Sequence, residues 1–177
     1  DAACRLQLGE AVGNIIPEGL FGQNLEITRT TMFGGMSAQL INNRRFYAAA
    51  SESFARGWNP IGQYDMVFHG GKRTPVVSLS DEDAGVQQSY EGLWLRPGVN
   101  YKWRLRLSGV FCAEIKICLG KAEARVICSS QQEPVIVEGK LWSSQSDDGG
   151  NFSIIAVGKG EICLENVSLL PEDAVLC

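Results

Sequence analysis

The chain has 177 residues, 45% of them apolar, enough to bury the core of one domain with a small appendage, and its composition gives no sign of disorder. Its 16 basic and 20 acidic residues leave a net charge of -4, which provides no electrostatic reason to expect nucleic acid or an anionic membrane as partner. No apolar run approaches the roughly 20 residues of a membrane span, and from Asp1 no basic stretch leads into an apolar one, so neither a span nor a leader is expected in this sequence.

In chain order, Leu20 to Ile27 reads as a short apolar strand and Gly34-Gly35 breaks the chain. Met36, Leu40 and Ile41 then fall near helical spacing ahead of Asn42-Asn43-Arg44-Arg45. The expectation for residues 1–53 is therefore a strand, a turn and a short helix over Met36 to Asn43. From Tyr64 onward strand follows strand, with turns predicted at Gly70-Gly71, Pro97-Gly98, Gly120-Lys121, Asp147 to Gly150 and Gly158-Lys159-Gly160.

The clearest strand is Tyr101 to Leu107, where Tyr101, Trp103, Leu105 and Leu107 alternate with Lys102, Arg104 and Arg106. One face of it is buried and the other wet. Phe111, Ala113, Ile115, Ile117 and Leu119 alternate in the same way, and Val126, Val135, Val137, Ile154, Ala156, Ile162 and Leu164 supply inward residues of further strands. Strands wet on one side and joined by short turns make an antiparallel β-sandwich, so residues 54–177 are expected to be mainly β, with the sandwich running from Phe54 to Pro171.

The six cysteines, Cys4, Cys112, Cys118, Cys128, Cys163 and Cys177, form no C-x-x-C pair, which argues against zinc. Cys112 and Cys118 fall on a wet strand face, where free thiols oxidise. A disulfide framework in an oxidising compartment is the reading favoured, with connectivity open and six reduced cysteines as the alternative. Two sequons, Asn151-Phe152-Ser153 after a turn and Asn166-Val167-Ser168 within a strand, point to the same secreted or luminal setting.

Catalytic constellations are poorly represented. His69 is the only histidine, and neither a G-x-S-x-G elbow, a P-loop nor a dinucleotide fingerprint is present. Sugar binding asks for less: an aromatic platform flanked by groups that hydrogen-bond hydroxyls. Trp58, Tyr64, Tyr90, Trp94 and Trp142 lie near predicted turns or strand ends, with Gln87 and Gln88 as hydroxyl partners, whereas Trp103 is assigned to the core. The alternative for each aromatic is a packed ring. The stripe Lys102, Arg104, Arg106 suits an acidic polysaccharide or simply a solvated strand face. Asp81-Glu82-Asp83 is a candidate calcium cluster or an exposed acidic loop.

Two segments also resemble known families. Leu20-Phe21-Gly22-Gln23-Asn24-Leu25-Glu26, continuing through Gly34-Gly35 to Asn43-Arg44-Arg45-Phe46, resembles the start of the catalytic barrel in glycoside hydrolase family 51 α-L-arabinofuranosidases. Gly57-Trp58, the run from Gly92 to Tyr101, and Glu165 to Pro171 resemble carbohydrate-binding modules of the galactose-binding jelly-roll type, which some family 51 enzymes carry just after the first barrel strand and helix. The resemblance implies that Glu26 and Asn43 contact sugar, and that Glu165 stands where such modules often hold a structural calcium. Thr30, Ser37 and Gln39 depart from the family, which usually has His, Trp and Glu there. Its catalytic glutamates lie further along than Cys177.

A non-catalytic extracellular carbohydrate-binding domain is therefore expected. The alternatives are a structural or adhesive module that contacts proteins, or a piece of an active arabinofuranosidase. A strand at Leu20 to Ile27 without its barrel also needs covering, by its own sandwich with Cys4 and Cys177 as a fastening, by a protein partner or by a second copy.

Overall fold

The computed structural model describes residues 40–69, 72–89, 94–148 and 150–173, all within one compact unit, Ser37–Cys177. The expected strand at Leu20 to Ile27, with Glu26, lies outside the described residues, as do Cys4, Cys177 and Tyr90.

Nine strands make up the regular structure among the described residues: β1 (Asn59–Ile61), β2 (Tyr64–His69), β3 (Lys72–Ser80), β4 (Ala84–Ser89), β5 (Trp94–Leu95), β6 (Tyr101–Leu119), β7 (Ala122–Leu141), β8 (Asp147–Asp148) and β9 (Asn151–Pro171). All pairings between them are antiparallel, and β5 and β8 form a separate two-stranded ribbon.

The architecture follows from three very long strands. β9 pairs with β6 along nearly its whole length, and β6 pairs with β7 likewise. On its other edge β9 bonds first to β4 (Asn151 to Ala156) and then to β3 (Lys159 to Cys163). One sheet is thus folded over into two layers. β1, β4 and the adjoining ends of β9, β6 and β7 form one layer; β2, β3 and the opposite ends of the same long strands form the other. A residual cavity of about 10 Å³ shows that the layers face each other, because it is lined by Leu107 and Ile115 from the two ends of β6 and by Ile154 and Ile162 from those of β9.

Alternation holds the layers together. Tyr101, Trp103, Leu105, Leu107, Phe111, Ala113, Ile115, Ile117 and Leu119 are all buried, as strand periodicity predicts, but they belong to a single 19-residue strand. Where the sheet folds, one extra residue in a strand reverses its inward parity. In β7 Leu107 pairs with Val135 and Gly109 with Gln132, so the inward set changes from Ala122, Ala124, Val126 and Cys128 to Val135, Val137 and Leu141. In β9 Arg106 pairs with Asn166 and Leu107 with Leu164. Glu165 is the bulged residue, and the inward set passes from Ile162 and Leu164 to Val167 and Leu169.

Two local expectations are corrected. Gly158-Lys159-Gly160 is not a turn but the middle of β9, where Gly160 (φ +103) lets the backbone bend against the carbonyl of Val110 without leaving the sheet. No helix forms over residues 40–43, the described part of the expected helix. There the backbone finds tertiary partners instead: Leu40 N donates to Leu169 O at 3.1 Å, and Asn42 N to the Gln88 side chain at 3.0 Å. Asn43 and Phe46 then take positive φ (46° and 52°), which a helix does not tolerate. Ile41, Phe46, Phe54 and Trp58 from this segment pack into the same core as the strands.

Among the described residues, Cys112, Cys118, Cys128 and Cys163 form no disulfide with one another, contrary to the expected framework, and the register keeps Cys112 from the other three. Cys112 and Cys118 are six residues apart on one strand, about 20 Å, far beyond the roughly 4.4–6.8 Å that a disulfide spans between Cα atoms. Cys128 pairs with the inward-facing Ala113 and so points to the opposite side of the sheet from Cys112. Cys163 pairs with Ser108, four residues from Lys159, the partner of Cys112.

Candidate functional site

The outer face of the second layer is a grid built by register. β6 lies between β9 and β7, so each outward residue of β6 has a neighbour on both sides. Leu170, Lys102 and Lys140 form one row; Ser168, Arg104 and Glu138 the next; Asn166, Arg106 and Ile136 the third. Arg44 joins the grid from the segment beside β9, anchored by Val167 N donating to Arg44 O at 2.9 Å.

Two adjoining depressions open on this face and share Arg104 and Ser168. One, of about 360 Å³, is bordered by Arg44, Arg106, Ile136 and Asn166; the other, of about 560 Å³, by Lys102, Glu138, Lys140 and Leu170. These volumes fall within the range of small-molecule and sugar sites.

Charge is distributed unevenly over the grid. The bulged Glu165, mostly covered, accepts from Arg106 Nε at 2.6 Å. Arg104 meets only Glu138, at 3.7 Å with both side chains more than half exposed, a contact of little worth. Arg44 has no side-chain partner among the described residues. At the far end Lys140 and Lys102 converge on one oxygen of Glu172, at 2.9 and 3.2 Å.

Hydrogen bonds from Lys140, then Lys102, then Asn100 hold the Glu172 carboxyl down to about 2, against an ordinary 4.5. Because the folded value is lowered, this interaction stabilises the fold fully above about pH 4.5 and is lost as pH falls toward 2. Carbon-detected NMR titration is expected to place the Glu172 midpoint near 2, and Lys140→Met is expected to move it up toward 4.5. An unshifted midpoint in the variant would refute the assignment.

The residues singled out from sequence have varied places. Trp58 is buried, with its indole N–H donating to Asn43 O at 3.2 Å. Tyr64 is partly buried and meets Phe54 edge-on, centroids 4.6 Å apart. Trp142 is 56% exposed just beyond β7 but borders neither depression. Trp94 lies in β5, paired with Asp148. Trp103 is buried, as expected.

Asn43 spends its side chain on its own loop. Its Nδ2 donates to Tyr47 O (2.8 Å) and Arg56 O (2.9 Å), while its Oδ1 accepts from Tyr47 N (2.8 Å). Glu165 faces a guanidinium, which opposes a bound cation, and no trio of metal-ligating side chains occurs among the described residues. Asn151 is exposed at the start of β9, and Asn166 borders the smaller depression.

Gln88 is 2% exposed and acts as a clasp. Its Oε1 accepts from Asn42 N at 3.0 Å, and its Nε2 donates to Asn42 O and Gly57 O, each at 3.1 Å. Gln88→Leu keeps the volume but removes the partner of three part-buried backbone hydrogen bonds, so urea unfolding is expected to show a loss of about 1–3 kcal/mol. A loss under about 0.5 kcal/mol would mean that the clasp is dispensable.

Of the grid, sequence reasoning singled out the stripe Lys102, Arg104, Arg106 but did not join it to Ile136, Glu138, Lys140 and Ser168. The signal was present as alternation in each strand, yet assembling it needs the pairing register, which passes through two bulges.

No family model matches this sequence, and no curated protein matches it. Among solved structures, the chain is similar to an arabinose-bound family GH51 α-L-arabinofuranosidase, MgGH51 (TM-score 0.67, 18% identity), covering 78% of this chain and 27% of that one. It thus spans about a quarter of the enzyme's length. It is also similar to the xylan-binding CBM22-1 domain of Paenibacillus barcinonensis Xyn10C (TM-score 0.55, 13% identity, 77% of this chain and 96% of that one). A third likeness is to the second N-terminal cellulose-binding domain of Cellulomonas fimi β-1,4-glucanase C (TM-score 0.52, 20% identity, 77% and 95%). At these identities the likeness is one of fold: the chain has the antiparallel β-sandwich of carbohydrate-binding modules.

Proposed function

We propose that this chain is a non-catalytic carbohydrate-binding domain whose binding face is the grid on β6, β7 and β9. The observation that carries the reading is the pair of adjoining depressions, lined by hydrogen-bonding side chains with Ile136 in one and Leu170 in the other. They lie on a sandwich that matches a xylan-binding domain over almost all of that domain's length. Donors and acceptors on rigid strands, interleaved with apolar surface, are what a sugar ring requires.

Calorimetric titration with arabinan, xylan and β-glucan oligosaccharides, and with their uronate-bearing counterparts, is the test. Saturable binding to at least one is expected; silence across the panel would discard the reading in favour of a module that contacts proteins. Secretion belongs to the same proposal, supported by the exposed sequon at Asn151. Glycan attached to Asn151 in material from a secreting eukaryotic host would bear it out, and an unmodified asparagine would count against it.

A second reading, as part of a longer arabinofuranosidase-like protein, is favoured by the fit to one section of the GH51 chain. Arabinofuranosidase activity in a longer form of the chain, and none in these 177 residues, is the result that would support it. An inactive longer form would remove it.

A further inference from the structure

We infer that the ligand of this face is an acidic sugar, a uronate whose carboxylate sits between Arg44 and Arg104. The inference rests on the carbohydrate-binding reading and narrows it.

The whole chain carries a net charge of -4, yet this face gathers five cationic side chains against the carboxylates of Glu138, Glu165 and Glu172. Those carboxylates are not shared evenly. Glu172 ties up both lysines, and Glu165 engages Arg106. Arg104 is left with a loose contact at 3.7 Å, and Arg44 has no side-chain partner among the described residues. Both border the smaller depression, so two guanidinium groups with little to bind face the same space.

Guanidinium offers only donors, in a planar fork that matches a carboxylate. A neutral sugar needs acceptors as well as donors and is commonly held on an aromatic ring. Among the described residues, no exposed aromatic borders either depression: Trp103, the one described aromatic beside them, is buried, and Trp142, Tyr47 and Phe68 lie elsewhere. Ile136, about half exposed, supplies apolar surface for the C–H face of a sugar ring next to the arginines. The set of groups therefore favours a ring that carries a negative charge over one that carries only hydroxyls.

Titration calorimetry with an oligogalacturonate, the same oligosaccharide methyl-esterified, a neutral xylo-oligosaccharide and a sulfated heparin oligosaccharide tests this. The free acid is expected to bind at least about tenfold more tightly than its ester, with affinity that falls as salt rises. Arg44→Gln and Arg104→Gln, each with an unchanged circular dichroism spectrum and melting temperature, are expected to abolish that preference. Equal affinity for acid and ester, or a preference that survives both substitutions, would overturn the inference while leaving a neutral-sugar site standing. Equal or tighter binding of the sulfated oligosaccharide would overturn the assignment to a carboxylate. Binding of none of the four would overturn this inference and the carbohydrate reading together.

Discussion

Replacing Trp58 by alanine is expected to destabilise the domain by about 3–5 kcal/mol, lowering its thermal midpoint by roughly 10 °C. The ring is 4% exposed. It packs on Phe46 with centroids 4.8 Å apart and meets Phe152 edge-on at 6.2 Å. Its removal leaves a cavity beneath residues 43–58, and those residues cannot collapse into it while Gln88 and Asn43 hold their backbone. The loss of the indole N–H also strips Asn43 O of a donor. Trp58→Phe should recover most of the packing term but not the hydrogen bond, and so fall between wild type and alanine. Since Trp58 borders neither depression, oligosaccharide affinity of the folded variant is expected to stay within twofold of wild type, about 0.4 kcal/mol. Loss of affinity at full stability would make Trp58 a ligand contact and would contradict its place in the core.

Gly160→Ala is the second substitution with a large expected effect, about 3 kcal/mol or a fall of roughly 6–12 °C in thermal midpoint. Two costs combine. A φ of +103 is strained for any residue with a Cβ, and the added carbon would overlap the Val110 carbonyl oxygen, a backbone atom with no flexible end to swing away. β6 and β9 would have to separate where the sheet folds from one layer to the other. Gly98→Ala is the control, because Gly98 also has positive φ (+74) but nothing within 4 Å of the new carbon. It should cost only the backbone strain, about 1 kcal/mol. Equal losses in the two variants, measured by urea unfolding, would show that close approach of the strands at Gly160 contributes nothing.

Much of the fold was legible from local pattern. Alternation at Tyr101 to Leu107 and at Phe111 to Leu119 has a period of two that only a strand with one buried face satisfies, and every inward residue it picked out on β6 is buried. The turn at Pro97-Gly98 follows equally from backbone chemistry. These readings concern residues within a few positions of one another, where sequence distance and spatial distance agree.

What tertiary structure alone decided depends on partners far along the chain. The helical spacing of Met36, Leu40 and Ile41 is overridden at residues 40–43 because Leu169 and Gln88, more than 40 residues away, offer backbone and side-chain hydrogen bonds there. The glycines at 158 and 160 look like a turn, but β6 lies against them and keeps them in one strand. The binding face is the extreme case: Arg104 reaches Ser168 and Glu138 only through a register that a single extra residue in β7 or β9 would turn inside out. Sequence determined by itself which residues of β6 turn to water. Which residues meet across three strands to form a site was decided by the bulges at Glu165 and near Gln132, because a bulge changes parity without changing composition.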